Sequence, residues 1–134
     1  MSGRRFPLAT VLYVTNGGMP GIVDGGDGLK QAQDLLSFMT GSTIYLHQIP
    51  RAADVCQKYL RDQYGWLSKM QPTEAQAKDV QKLKRWVRRC EKERGETLLV
   101  RVLPGGAYTY MDPIVEFTER MTASDGAGLA GSNA

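Results

Sequence analysis

Residues 8–15, LATVLYVT, determine which fold class the sequence predicts. This stretch is rich in β-branched and aromatic residues, and it lies between Pro7 and the turn-forming residues Asn16-Gly17-Gly18. A short apolar run bounded in this way is typical of a buried β-strand. We therefore predict that the first regular element of the chain is a strand in a buried sheet.

Two more strands and a short extended piece are predicted further along the chain. Residues 43–47, TIYLH, place apolar side chains on one face and Tyr45 and His47 on the other. Residues 97–103, TLLVRVL, follow a glycine that ends a helix, and residues 108–111 form the extended piece. The sheet should therefore have three or four strands.

Helices are predicted between these strands from their capping residues. The first should follow Asp27 and end at Gly41, because glycine readily adopts the left-handed conformation at a helix end. The second should cover residues 51–68, because the fixed φ of Pro50 suits a first turn.

Two further helices complete the predicted set. Residues 73–94 begin with Thr73 and Gln76, which have the spacing of a capping box. The last helix should follow Asp112-Pro113, a cap and a first-turn proline.

The order of elements is thus strand, helix, strand, helix, helix, strand, helix. It predicts an α+β fold in which a small three- or four-stranded sheet is covered by three to four helices. Residues 1–121 should form this single domain. Residues 122–134 are poor in large apolar side chains, and we expect them to be a disordered C-terminal tail.

Composition limits the class of protein. A chain of 134 residues with 42% hydrophobic content suits one domain with its own core. Its two cysteines, Cys56 and Cys90, form no C-x-x-C pair, so we expect buried thiols rather than a zinc site or a disulfide. No apolar stretch approaches the ~20 residues that span a bilayer, and we expect a cytosolic protein without membrane contact.

Basic charge is concentrated in one predicted helix. The formal net charge of the chain is +3, yet residues 78–94 hold eight Lys or Arg and three acidic residues, and the remainder carries −2. Trp86, near the border of this charge, is of a type that stacks on a base or anchors a protein interface. The alternative is a solvated face with internal pairs such as Arg89 with Glu93. The cations at helical spacing are Lys78, Lys82, Arg85, Arg89 and Lys92.

A second candidate site lies where the predicted second strand meets the next helix. There His47, Gln48 and Arg51 converge with the first amides of that helix, an arrangement that favours an anion. The alternative is that His47 packs on the sheet while Arg51 extends into solvent.

No set of residues indicates catalysis. His47 is the only histidine, and the sequence pattern places neither a nucleophile nor a paired carboxylate beside it, so it supports no acid-base role. We interpret Glu116 and Glu119 as surface carboxylates and Asp112 as a cap. We therefore predict a protein that is not an enzyme and that has no metal and no cofactor.

Three segments carry a resemblance to a known family: LLSFMTGSTIYLHQIPRAADVCQKYL, KERGETLLVRVLP and MDPIVEF. They resemble an uncharacterised family of small proteins of tailed phages and prophages, a domain of unknown function with a Met-Thr-Gly and a later His-Gln-x-Pro-Arg-Ala core. The chain lacks the arginine that relatives carry after their first strand. The matching positions are Thr40, Gly41, His47, Gln48, Pro50, Arg51, Ala52, Asp112 and Pro113.

This resemblance implies a phage protein in the cytoplasm of the infected bacterial host. Together with the basic helix, it predicts a small accessory protein that binds a host defence or regulatory complex and inhibits or redirects it. Two alternatives are a nucleic-acid-binding protein that uses the same helix, and a protein that binds a small anionic ligand or nucleotide at the turn from His47 to Arg51.

Overall fold

The computed structural model describes residues 3–23, 26–108, 114–118 and 121. Short 3-10 turns occur at Leu46–Gln48 and Gly65–Lys69, and residues 114–118 are helical. The strands and longer helices, in chain order, are β1 (Gly3–Pro7), α1 (Leu8–Thr15), α2 (Gly28–Thr40), α3 (Ile49–Gln63), α4 (Glu74–Lys78), α5 (Val80–Arg94) and β2 (Thr97–Arg101).

The stretch LATVLYVT forms helix α1, so the prediction of a strand at residues 8–15 was wrong. α1 packs against α2, α3 and α5, and Leu8, Val11 and Leu12 are fully buried. A helix that is buried on several sides is hydrophobic all round, and its sequence then lacks the polar face that marks an amphipathic helix. Helical hydrogen bonds also satisfy the backbone without a neighbouring strand. Tertiary packing has therefore overridden the β-propensity of these residues.

The described residues contain a single sheet of two antiparallel strands, β1 and β2, which corrects the predicted α+β fold with three or four strands covered by helices. Gly3 pairs with Arg101 and Pro7 with Thr97. The strand predicted at residues 97–103 is confirmed over Thr97–Arg101, which form β2, whereas residues 43–47 form irregular chain and the start of a 3-10 turn. The fold is mainly helical, with a small sheet at one side.

Local capping signals correctly predicted several helix ends. Gly41 ends α2 with a φ of 72°, and Pro50 lies in the first turn of α3. Thr73 and Gln76 form the expected capping box at the start of α4. The predicted helix over residues 73–94 is, however, interrupted at Asp79. Its carboxylate Oδ1 accepts the backbone N–H groups of Gln81 and Lys82, so that Asp79 caps a new helix, α5.

The core lies around α1, and Cys56 and Cys90 are both free and buried, as expected. The predicted final helix is seen over residues 114–118. The predicted disordered tail, residues 122–134, and most of the extended piece at residues 108–111 lie outside the described residues.

Candidate functional site

The turn that leads into α3 forms one side of a polar cluster. The backbone N–H of Tyr45 donates to Oε1 of Gln48 at 3.0 Å, and the N–H of Gln48 donates to the carbonyl oxygen of Tyr45 at 2.8 Å. Because Oε1 accepts this bond, the Nε2 amide of Gln48 is available as a donor to a different group. The turn thus fixes the orientation of a side chain that is only 2% exposed.

Glu116 receives that donor and two more from Arg51. Nε2 of Gln48 donates to Oε1 of Glu116 at 3.1 Å. Nη2 of Arg51 donates to Oε1 at 2.8 Å and its Nε donates to Oε2 at 3.2 Å. This is the two-point arrangement in which a planar guanidinium matches a carboxylate. The Glu116 side chain is 4% exposed and that of Arg51 is 30% exposed.

Tyr108 also contacts the guanidinium of Arg51. Nη2 of Arg51 also donates to the hydroxyl oxygen of Tyr108 at 2.9 Å, and the guanidinium carbon lies 4.4 Å from the centre of the tyrosine ring. This distance permits a cation–π contact. We refer to Gln48, Arg51 and Tyr108 together as the Arg51 site.

These contacts shift the pKa values of the two acidic groups. Hydrogen bonding from Arg51 lowers the pKa of Glu116, the bond from Gln48 lowers it further, and burial opposes both. Burial raises the pKa of Tyr108, and the positive charge of Arg51 opposes that rise. Glu116 is therefore ionised and Tyr108 neutral at pH 7.

His47 lies beside the cluster, between two aromatic rings. Its ring is stacked on Tyr45 with 6.5 Å between centroids and meets Phe117 edge-on at 5.3 Å. The structure thus brings together His47, Gln48 and Arg51, the three residues selected from the sequence. The anion that Gln48 and Arg51 contact is the chain's own Glu116, and binding of an external anion here stays a prediction.

Sequence reasoning missed Glu116 and Tyr108. Glu116 is 3% exposed, so its interpretation as a surface carboxylate was wrong; Glu119 lies outside the described residues. The apolar neighbours Val115 and Phe117 are a weak local signal, because they do not identify a partner 65 residues away. The pairing depends on tertiary structure.

Helix α5 carries the other candidate surface. Lys82, Arg85, Arg89 and Lys92 are all exposed, and their spacing of three and four residues places them on one side of the helix. We call these four residues the α5 basic face. Within the described part of the chain, none of the four has a salt bridge within 4.0 Å. The internal pair of Arg89 with Glu93, considered as an alternative, is therefore not formed.

Two residues that were grouped with these cations lie elsewhere. Trp86 is 6% exposed and belongs to the hydrophobic core, so little of its ring is accessible to a partner. Lys78 is exposed on α4, before the break at Asp79, and its Nζ lies 2.8 Å from Oε1 of Glu74.

Metal-binding and membrane-spanning features are both absent from residues 3–23, 26–108, 114–118 and 121. These ranges contain no group of three or more His, Cys, Asp or Glu side chains that could hold a metal ion. They also contain no helix that is both long enough and apolar enough to cross a membrane.

Comparison with known proteins identifies one region of similarity. Residues 6–69 match the model of a family described as Domain of unknown function (DUF7736). No curated protein and no solved structure matches the chain. The expected domain of unknown function is thus found, whereas the phage origin stays a prediction. The matched region includes Gln48 and Arg51, and Tyr108, Glu116 and α5 lie outside it.

Proposed function

We propose that this chain is a phage accessory protein that acts by binding an acidic host macromolecule through the α5 basic face. The partner that we favour is a protein complex of host defence or regulation, which the bound protein inhibits or redirects in the host cytoplasm. The phage origin is supported by the resemblance of three sequence segments to a family of phage proteins. The binding surface is supported by the exposed cations of α5.

The main support for the proposal is that the four cations of the α5 basic face are exposed and lack salt bridges to described residues. Lys82, Arg85, Arg89 and Lys92 are exposed together and form no salt bridge to a described residue. An isolated exposed cation is well solvated and needs no explanation. Four on one helix face produce a local positive potential that attracts acidic surfaces and raises association rates.

The burial of Trp86 favours a protein partner over single-stranded nucleic acid. Binding of single strands commonly combines a basic groove with exposed aromatic rings on which bases stack. Trp86 is the only aromatic residue of α5, and it is 6% exposed. Contact of α5 with nucleic acid would therefore rest on phosphates, with a strong salt dependence.

A pair of variants with equal charge tests the proposal. The face variant carries Lys82→Glu, Arg85→Glu and Arg89→Glu. The control variant carries the same change at Lys30, Lys58 and Lys69, which are also exposed. Both sets take the formal net charge from +3 to −3, so the two variants have the same net charge but carry the change on different surfaces.

Tagged wild-type protein and both variants are used to capture partners from a lysate of the bacterial host, with and without nuclease. We expect the wild type and the control variant to retain a common protein partner and the face variant to lose it. A partner retained equally by both variants would refute the assignment of the surface. Loss of capture after nuclease treatment would instead support the nucleic-acid alternative.

A further inference from the structure

We propose that the outer edge of β1 is a binding site for an extended acidic segment of a partner protein, which adds to the sheet as a third strand. The site comprises the outward backbone groups of Gly3 and Arg5 and the groove between β1 and α2, and we call it the β1 edge. It is separate from the α5 basic face, so either proposal can fail without the other.

The opposite edge of the sheet, on β2, is covered by residues at the end of α3. The backbone N–H of Arg101 donates to Oε1 of Gln63 at 3.0 Å. The carbonyl oxygen of Leu99 accepts a hydrogen bond from the hydroxyl of Tyr64 at 2.9 Å. These side chains therefore satisfy outward backbone groups of β2, and a further strand cannot pair with β2 at these positions.

The same two hydrogen bonds identify the groups of β1 that face away from β2. In an antiparallel pair, successive residues direct their N–H and C=O groups alternately towards and away from the partner strand. Leu99 and Arg101 point away from β1, so the residues opposite them, Arg5 and Gly3, point away from β2. No described residue forms a hydrogen bond with the outward backbone groups of Arg5 or Gly3. An edge of this kind is a template for strand addition.

A groove beside the β1 edge has room for the side chains of an added strand. A cavity of about 530 Å³ lies between residues 4–7 and one face of α2 that includes Gln31 and Asp34. The salt bridge from Arg4 to Asp34 places α2 on the same side of the sheet as the Arg4 side chain. Because side chains alternate along a strand, every second side chain of an added strand points towards α2, and the others lie on the side of Arg5.

The side of the sheet that carries Arg5 selects acidic residues. Nε of Arg5 donates to the neutral Oγ1 of Thr97 at 2.8 Å, and Arg101 lies on the same side of the sheet. Neither arginine forms a salt bridge within 4.0 Å to any described residue. Opposite charges on neighbouring strands stabilise a sheet, whereas like charges destabilise it. Carboxylates of an added strand therefore complement Arg5.

The same charges disfavour a second copy of this chain as the added strand. β1 has the sequence GRRFP, so antiparallel pairing of two copies of β1 brings the arginines of one copy next to those of the other. Pro7 lacks an N–H group and limits the donors of the edge to Gly3 and Arg5. Charged residues and prolines on an edge strand commonly prevent self-association. They leave an acidic strand as the favoured occupant.

Hydrogen exchange of the Arg5 backbone amide, followed by NMR, tests the proposal. The probe is an acetylated and amidated peptide with the sequence Glu-Val-Glu-Val-Glu. In the free protein the amides of Arg4 and Phe6 face β2 and should be protected, whereas the amide of Arg5 should exchange freely. At a peptide concentration about nine times the dissociation constant, exchange at Arg5 should slow about tenfold, because only one edge in ten is then unoccupied.

Two controls separate strand addition from simple attraction of charge. A peptide of the same sequence with methylated backbone nitrogens keeps its carboxylates but cannot donate backbone hydrogen bonds, and it should leave exchange at Arg5 unchanged. The face variant keeps β1 intact, so the unmodified peptide should slow exchange at Arg5 as much as in the wild type. Loss of this effect in the face variant would refute binding at the β1 edge.

Two substitutions separate the backbone of Arg5 from its side chain. Arg5→Ala removes the charge and keeps the N–H group, whereas Arg5→Pro removes both. Because this N–H faces away from β2, proline removes no hydrogen bond of the sheet. Fluorescence anisotropy of a labelled probe, with both substitutions made in the face variant, gives the affinities. We expect Arg5→Ala to weaken binding and Arg5→Pro to bind about tenfold more weakly than Arg5→Ala.

Unchanged exchange at Arg5 with the unmodified peptide at concentrations up to about 1 mM would overturn the proposal. Equal affinities of the alanine and proline variants would also overturn it. Protection of Arg5 without peptide that grows with protein concentration would show that a second copy occupies the edge, and this too would refute the acidic partner. If Arg5→Pro does not fold, exchange in the wild type with the two peptides decides.

Discussion

Arg51 and Glu116 join the start of α3 to a helical segment 65 residues later, through hydrogen bonds of 2.8 and 3.2 Å. The carboxylate is almost completely buried, and the guanidinium remains 30% exposed. A charge-assisted pair of this kind stabilises the fold only while both partners are present, because either one left alone is a desolvated charge.

Replacement of Arg51 by methionine should therefore destabilise the protein. We expect a loss of about 2–3 kcal/mol in the free energy of unfolding, less than for a fully buried pair because Arg51 retains contact with water. The loss in unfolding free energy is measured by urea denaturation, followed by circular dichroism. The matched control is Lys78→Met, which removes an exposed pair with Glu74 and should cost less than about 1 kcal/mol. Equal losses in the two variants would contradict this account of the buried pair.

The same pair predicts how stability depends on pH. Since the pKa of Glu116 is lowered in the folded state, its contribution is fully present above the unfolded pKa of about 4.3 and is lost as the pH falls through the folded value. The difference in unfolding free energy between the wild type and Glu116→Gln should therefore shrink from about pH 5 to about pH 3. A difference that stays constant or grows over this range would show that the carboxylate is not preferentially ionised in the fold.

Close packing of Gly28 against Tyr13 predicts a steric effect. A Cβ atom at Gly28 would lie 2.6 Å from Cε2 of Tyr13, so Gly28→Ala should cost about 1–3 kcal/mol in unfolding free energy. At Gly65 a Cβ meets no atom within 4 Å, and neither glycine has a positive φ. Gly65→Ala should therefore change stability by less than about 1 kcal/mol. Urea denaturation of both variants measures these changes in unfolding free energy. An unchanged stability of Gly28→Ala would mean that the Tyr13 ring moves aside freely.

The two thiols should be unreactive in the folded protein. Burial raises the pKa of Cys56 to about 12 and is the main cause that raises the pKa of Cys90 to about 11. Because the thiolate is the reactive form, labelling by a disulfide reagent at pH 8 should be slow in native protein and complete in denaturant, with two equivalents. Rapid native labelling of either cysteine would contradict the buried environment.

The sequence predicted those features that depend on neighbouring residues. Pro50, Gly41 and the pair of Thr73 with Gln76 act over a few positions, so their effects on helix ends were correctly predicted. The turn at Gln48 and Arg51 was also recognised from local pattern. The prediction of a strand at residues 8–15 was wrong because β-propensity reflects how well side chains fit the surface of a sheet. The surroundings of α1 are instead helices that are distant in sequence.

For the candidate sites, too, the sequence predicted local features but not contacts between distant residues. The four cations of α5 follow from helical spacing alone, whereas the burial of Trp86 depends on how α5 packs in the core. Likewise, Gln48 and Arg51 lie within four residues of each other, but Glu116 approaches them only in the folded chain. Contacts between distant residues require the tertiary fold, which local pattern does not specify.

Binding of acidic partners should depend on the position of the α5 basic face and not on total charge. The salt concentration that elutes each protein from a heparin column measures this dependence, because the face and control variants have the same net charge. We expect the control variant to be retained in low salt and the face variant to pass through, with the wild type eluting last. Elution of the two variants at the same salt concentration would contradict the claim.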